Sequence, residues 1–205
     1  MGFWMAVRRN RHPLLVAALL LASLPAEGIM QSSRGPIGFF QEEISIQVWG
    51  DSCILTGTYH FRNQTARTAA TELLYPFPRR LPPPRRIEVI DLSTGSRLQT
   101  QQTGEGALFM LSLPPWGETA YRVLYVQPTP SNTMEYLLST GRSWGRPLER
   151  ATFLIALPDS LKLMSISIPP DTLWKEAGVT FYVCRKRHFF PDRELTVRWQ
   201  RRQRS

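Results

Sequence analysis

The residues most able to do chemistry in this 205-residue chain are four arginines around a run of prolines. Arg79 and Arg80 precede the proline run at 82–84, and Arg85 and Arg86 follow it. A proline run is stiff and extended, so this loop could hold the four guanidinium groups ready to clamp phosphate or carboxylate oxygens. The alternative is a solvated loop whose charges protect a strand edge from aggregation.

A second candidate binding loop surrounds a tryptophan. Arg142, Trp144 and Arg146 alternate in a segment that contains Gly141 and Gly145. An indole ring between two arginines could stack on a sugar or a base. The alternative is an indole that folds back and closes the end of a β-sandwich.

Catalytic patterns are weak in this sequence. His60 and His188 are the only histidines beyond residue 12, and no cysteine or histidine cluster has zinc spacing. Glu42 and Glu43 are neighbours on a predicted strand, so their side chains point to opposite faces and cannot act together on one substrate. Neither a Gly-x-Ser-x-Gly turn nor a glycine-rich phosphate loop occurs. The sequence therefore predicts a protein without enzymatic activity, cofactor or bound metal.

The two cysteines, Cys53 and Cys184, leave two alternatives open. In an oxidising compartment they could form a disulfide that closes most of the chain into one loop. Cys53 alternates in phase with Leu55 and Tyr59 on the apparent core face, whereas Cys184 is out of phase with its apolar neighbour Val183. The same pattern also allows two separate buried thiols.

The N-terminal residues predict export. Three arginines within the first 11 residues precede an apolar run at 14–24, and small residues follow it. This order is typical of a secretory signal peptide, and the run is shorter than the ~20 residues that cross a bilayer. We therefore expect removal of residues 1–28, a periplasmic or secreted protein, and no transmembrane segment after cleavage.

The charge balance predicts an anionic partner. The chain has 25 basic and 16 acidic residues, a formal net charge of +9, and loss of residues 1–28 leaves about +7. A basic surface favours an acidic protein or an anionic envelope polymer, and export argues against nucleic acid. The alternative is that the charge serves only solubility.

Alternation of apolar and polar residues with a period of two predicts strands over residues 38–199. Short strands with turn signals between them predict an all-β fold, an antiparallel β-sandwich of the immunoglobulin-like kind. The proline-containing segment 128–133 is a candidate internal boundary, so one sandwich and two packed lobes both remain open. Residues 200–205 are basic and predict a disordered tail.

Two local alternatives concern secondary structure and modification. Residues 149–156 and 172–177 could each form a turn or two of helix in place of a strand. Asn63 begins an Asn-Gln-Thr sequon for N-glycosylation, with a plain turn as the alternative.

The ends of the predicted strands resemble VIT domains, the β-sandwiches of vault proteins and inter-α-trypsin inhibitors. The resemblance rests on five segments of the first half, at 48–51, 57–63, 75–78, 113–118 and 121–127. The second half resembles uncharacterised exported bacterial β-sandwich proteins, through segments at 136–141, 144–148 and 190–199. These motifs are turn and core signals, so the resemblance implies a VIT-like fold over roughly residues 40–199 and no catalytic residues.

Together these observations predict a non-enzymatic binding module of the cell envelope. Its loops would recognise a protein or an anionic envelope polymer. Two other hypotheses remain: a carbohydrate-active hydrolase whose acids the sequence does not identify, and a structural or assembly protein that pairs a strand edge with a neighbour.

Overall fold

The computed structural model describes residues 35–142 and 144–202. These residues form thirteen β-strands and one helical turn, α1 (Ser139–Arg142). The strands are β1 (Ile37–Val48), β2 (Ser52–Asn63), β3 (Ala69–Pro76), β4 (Ile87–Asp91), β5 (Gln101–Gln102), β6 (Gly106–Leu113), β7 (Glu118–Pro128), β8 (Thr133–Tyr136), β9 (Leu148–Pro158), β10 (Leu161–Ile166), β11 (Thr172–Glu176), β12 (Val179–Phe189) and β13 (Leu195–Arg201). The signal peptide predicted at 1–28 lies outside the described residues.

The strands form three open sheets. The large sheet has the order β11-β12-β9-β1-β2-β7-β4, and the two small sheets have the orders β10-β13-β8 and β3-β6-β5. Neighbouring strands are antiparallel except β1 and β9, which are parallel. The predicted all-β class, a mostly antiparallel β-sandwich, is confirmed.

The large sheet combines strands from both sides of residues 128–133. Strands β1, β2, β4 and β7 precede this segment, whereas β9, β11 and β12 follow it. Buried residues from all three sheets form one hydrophobic cluster. Residues 128–133 therefore connect the large sheet to β8 of a small sheet, and residues before and after this segment belong to the same core.

The core follows from the period-two pattern. On β2 every second residue is buried, so one face of the strand packs inward and the other lies toward solvent. Large side chains from different sheets meet there, including Leu55 of β2, Leu111 of β6 and Leu195 of β13. Each such side chain contributes about 2 kcal/mol through loss of apolar surface to water.

A β-bulge interrupts the alternation of β1. Its register with β2 shifts between Phe39 and Gln41, so both Phe39 and Glu42 point into the core. Without the extra residue, strict alternation from Phe39 would bury Gln41 and Glu43 instead. The bulge therefore decides which of the two adjacent glutamates is buried.

Three local expectations need correction. Residues 149–156 belong to β9, and 172–176 form β11, because each pairs along its length with β12. The β11–β12 turn has positive φ at Ala177 (48°) and Gly178 (76°), the conformation that matches strand twist in a two-residue hairpin. Strand β13 also continues into the predicted tail, since Gln200 and Arg201 pair with β10.

Candidate functional sites at the two ends of the sandwich

The proline loop is fastened to the fold through the backbone carbonyls of Pro82 and Pro84, and it exposes its arginines. Buried Gln127 donates its side-chain amide to the Pro82 carbonyl at 2.7 Å, and the Gln102 amide donates to the Pro84 carbonyl. The side chains of all four loop arginines are exposed: Arg79, Arg80, Arg85 and Arg86. The fold therefore fixes the backbone that carries these guanidinium groups.

Two of these arginines line a groove beside β4. The groove has a volume of about 340 Å³, and its walls include Arg85, Arg86, Arg97 and Gln102. Arg97 is neutralised by Glu88, with Nε and Oε1 2.9 Å apart. Within the described part of the chain, neither Arg85 nor Arg86 has a carboxylate at ion-pair distance. The groove therefore holds two uncompensated positive charges.

The predicted tryptophan site is wrong. The Trp144 side chain is 4% exposed, and its ring centroid lies 6.0 Å from that of Phe39 and 5.7 Å from that of Phe61. The indole folds inward because this apolar ring fills the space at the ends of β1 and β2. It closes the sandwich and presents no face to a ligand.

The arginines beside Trp144 are exposed but engaged. The Arg142 side chain donates to the Pro191 carbonyl, and Arg146 donates to Gln64 Oε1 at 3.2 Å. The structure does not bring them to the proline loop. The Trp144 loop and the proline loop lie at opposite ends of strand β7, whose eleven residues correspond to a length of roughly 33 Å.

The disulfide alternative is also wrong, since Cys53 and Cys184 are free, buried thiols. Their strands, β2 and β12, are separated in the sheet by β1 and β9. Three strand spacings place the two backbones about 14 Å apart, whereas a disulfide requires Cα atoms within about 7 Å. Burial raises the pKa of Cys53 to about 12 and that of Cys184 to about 11.

Sequence reasoning missed a buried hydrogen-bond network around Glu42. Tyr136 donates its hydroxyl to Glu42 Oε2 at 2.9 Å, and the Tyr59 hydroxyl lies 3.1 Å from that of Tyr136. The chain continues to the Tyr75 hydroxyl, 2.9 Å from that of Tyr59. These residues lie on β1, β8, β2 and β3, so one network joins all three sheets.

The environment of Glu42 disfavours its charged form. Burial raises the pKa of this carboxyl to about 7, a hydrogen bond from Tyr136 opposes the rise, and the charge of Glu43 adds to it. Among the described residues, Glu42 Oε1 has no hydrogen-bond partner. A raised carboxyl pKa is typical of catalytic acids, but this side chain is only 3% exposed. In this conformation it is part of the core.

The backbone of β2 makes room for this network at Gly57. A Cβ atom at Gly57 would lie 2.3 Å from the Tyr59 hydroxyl oxygen, so the tyrosine ring folds across this position. A glycine two residues before a tyrosine on a strand is the one sequence signal that could have indicated the folded-back ring.

The other candidate catalytic groups lie apart from the core. His60 Nε2 is 2.9 Å from Glu43 Oε2 on the partly exposed outer face of the large sheet, and His188 is exposed. Residues 35–142 and 144–202 contain no cluster of three or more His, Cys, Asp or Glu side chains that could hold a metal ion. Within the same ranges, no helix has the length and apolar character that crossing a membrane requires.

The sequon asparagine is a buried clamp. Asn63 donates its side-chain amide to the carbonyls of Arg67 at 2.7 Å and Pro114 at 2.8 Å, and its carbonyl accepts from the Thr65 backbone N–H at 3.0 Å. The amide that would carry a glycan is therefore enclosed in the folded protein. It instead fastens the turn after β2 to the turn before β7.

Comparisons with known proteins give the fold and no family. No protein-family model matches the chain, and no curated protein sequence matches it either. A crystal structure of a proposed nutrient binding protein from Legionella pneumophila superposes with a TM-score of 0.66 at 17% identity, over 83% of this chain and 70% of that one. At this identity the similarity shows a shared fold.

Weaker structural matches come from a zinc peptidase. M1 zinc metallopeptidase structures from Deinococcus radiodurans, one of them bound to a Tyr-Ser-Ala substrate, give TM-scores of 0.49 and 0.48 at 15% identity. The present chain covers 82% of its own length in these matches but only 45% and 43% of the peptidase chains.

Proposed function

We propose that this protein is an exported, non-enzymatic binding module of the cell envelope that holds an anionic polymer in the groove beside the proline loop. The observation that carries the proposal is the pair of exposed, uncompensated guanidinium groups, Arg85 and Arg86, in a groove of about 340 Å³. A fold shared with a proposed nutrient binding protein is compatible with a binding role.

The chemistry of the groove suits carboxylate, sulfate or phosphate groups. A guanidinium group donates two parallel hydrogen bonds to such an oxygen pair, which lysine cannot do. Because Gln127 and Gln102 fix the loop through the Pro82 and Pro84 carbonyls, the loop backbone needs little further ordering on binding. Arg80 would extend the positive surface along the same loop, whereas Arg79 Nη2 lies 4.0 Å from Glu105 Oε1.

Binding of dextran sulfate to the mature protein, with uncharged dextran as the reference, tests the proposal. We expect the double variant Arg85→Ser, Arg86→Ser to bind dextran sulfate at least tenfold more weakly in 150 mM salt, since two charge-assisted contacts are lost. The matched control, Arg187→Ser with Arg198→Ser, removes the same charge from exposed positions elsewhere. Equal weakening of both double variants would show that only net charge matters and would contradict the assignment of the groove.

Export and the VIT resemblance stay predictions. Cell fractionation and N-terminal sequencing of the protein from its native host would test cleavage after residues 26–28. If the protein retains one specific protein from an envelope extract and does not bind dextran sulfate, its partner is a protein and not a polymer.

A structural role through strand-edge pairing is the second candidate, and one observation favours it. Strand β11 forms an edge of the large sheet, all five of its residues are exposed, and Leu173 is 59% exposed. An exposed apolar edge is a template for another strand. A concentration-dependent oligomer that disappears in Leu173→Lys would support this role. The hydrolase alternative gains nothing from Glu42 and Glu43, which lie on opposite faces of β1.

A further inference from the structure

Trp116 is held in an unusual way at the end of the sandwich opposite the proline loop. Its side chain is 67% exposed, and its backbone has φ of 55°, in the left-handed region that bulky residues rarely adopt. An exposed indole gains little from packing, so packing does not explain why this residue occupies a strained position. Strained backbone positions of this kind are concentrated at binding and catalytic sites.

The turn that carries Trp116 is rigid. The Trp116 N–H donates to the Thr65 carbonyl at 2.9 Å, and the Gly117 N–H donates to the Pro114 carbonyl at 3.0 Å. A Cβ atom at Gly117 would lie 2.5 Å from Pro114 Cγ, so the turn closes tightly on itself. The buried Asn63 amide fixes the Pro114 carbonyl from below. The indole is therefore presented on a frame that the fold has already ordered.

Planar polar groups lie next to this frame. Gln64 immediately precedes Thr65, to which Trp116 is bonded, and Gln64 Oε1 accepts a hydrogen bond from exposed Arg146. An exposed aromatic face, with an amide on the segment to which its backbone is bonded and a guanidinium bonded to that amide, suits a pyranose ring. The C–H face of the sugar can stack on the indole, while its hydroxyl or carboxylate oxygens bind the polar groups.

We propose that Trp116 is the stacking platform of a carbohydrate subsite, with Arg146 and Gln64 favouring a sugar acid. This subsite is separate from the groove of Arg85 and Arg86, which lies at the other end of β7. It assigns to Trp116 the role that Trp144, buried in the core, cannot have.

Titration of the mature protein with hexagalacturonate, with cellohexaose as a neutral probe, tests the subsite by calorimetry. We expect Trp116→Asn to weaken binding of hexagalacturonate at least tenfold, because asparagine tolerates the left-handed backbone but offers no aromatic face. Trp49→Ala is the matched control: Trp49 is 65% exposed at the opposite end of the sandwich, and its loss should leave binding within twofold. The variant Arg146→Ser should weaken binding of hexagalacturonate more than that of cellohexaose.

A thermal unfolding midpoint for Trp116→Asn separates binding from structure. We expect the midpoint to stay within about 3 °C of the wild type or to rise, because the substitution relieves strain. A clear fall would show that the indole supports the fold and would overturn the proposal, as would absence of binding to both oligosaccharides or equal binding by Trp116→Asn. Loss in Arg85→Ser with Arg86→Ser, but not in Trp116→Asn, would assign the sugar to the proline-loop groove and overturn this subsite alone.

Discussion

Ionisation of Glu42 should make this protein less stable as the pH rises from about 4.5 to 7. The pKa of this carboxyl is about 7 in the folded protein and 4.5 in its ordinary state, so between these values the folded chain binds one more proton than the unfolded chain. Stability falls with pH wherever the folded state binds more protons. A shift of this size corresponds to about 3 kcal/mol of unfolding free energy lost above pH 7.

The variant Glu42→Gln isolates this effect. Glutamine keeps the shape of the side chain and an oxygen that can accept the hydrogen bond from Tyr136, but it does not ionise. Its second amide atom would occupy the place of Oε1, which has no partner among the described residues, so the variant carries a constant penalty of about 1–3 kcal/mol. The informative quantity is therefore how the difference between variant and wild type changes with pH.

Urea unfolding followed by circular dichroism at several pH values from 4.5 to 8 measures that quantity. We expect the free energy of unfolding of Glu42→Gln to rise relative to wild type by about 3 kcal/mol across this range. Glu43→Gln, which changes the adjacent but partly exposed carboxyl, should shift by less than about 1 kcal/mol. If the curves for wild type and Glu42→Gln stay parallel, Glu42 is charged or solvated in the fold and the reasoning fails.

Three further predictions concern the core. Gly57→Ala should lower the free energy of unfolding in urea by about 1–3 kcal/mol, because the new Cβ displaces the Tyr59 ring. An unchanged unfolding midpoint would mean that the ring has room to move. Asn63→Ala should lower the free energy of unfolding by about 3 kcal/mol in the same assay, since it removes side-chain hydrogen bonds to two backbone carbonyls and leaves the Thr65 N–H without its acceptor. A loss below about 0.5 kcal/mol would contradict the clamp. Cys53 and Cys184 should not react with a thiol reagent in the folded protein, and both should react once the protein is unfolded in the absence of reductant. If no thiol reacts in the unfolded protein, the two cysteines form a disulfide.

The sequence predicted the secondary structure well wherever apolar and polar residues alternate with a period of two. Apolar alternation placed the strands of the large sheet, and Pro-Phe-Pro and Pro-Pro-Trp-Gly segments marked real turns and strand ends. The pairing of β1 with β9 could not be derived, because parallel neighbours far apart in the chain leave no local pattern.

The interior chemistry was the least predictable part. The bulge near Phe39 shifts β1 by one residue and buries Glu42, and no residue type in the sequence specifies its position. Trp144 and Trp116 both lie next to glycine in arginine-containing or proline-containing loops, yet one is buried and the other exposed. That difference depends on which ring can reach Phe39 and Phe61, which is a property of the assembled sheets.

The parallel pairing of β1 with β9 also constrains when the protein can fold. Gln41 contacts Arg150, 109 residues further along the chain, and β1 lies at the centre of the large sheet. A ribosome delivers β1 first, but this strand cannot acquire its second neighbour until more than a hundred later residues have emerged. Contacts of such large sequence separation fold on the millisecond-to-second scale. The large sheet therefore cannot be completed until the C-terminal half of the chain has been synthesised, and until then its central strand lacks one neighbour.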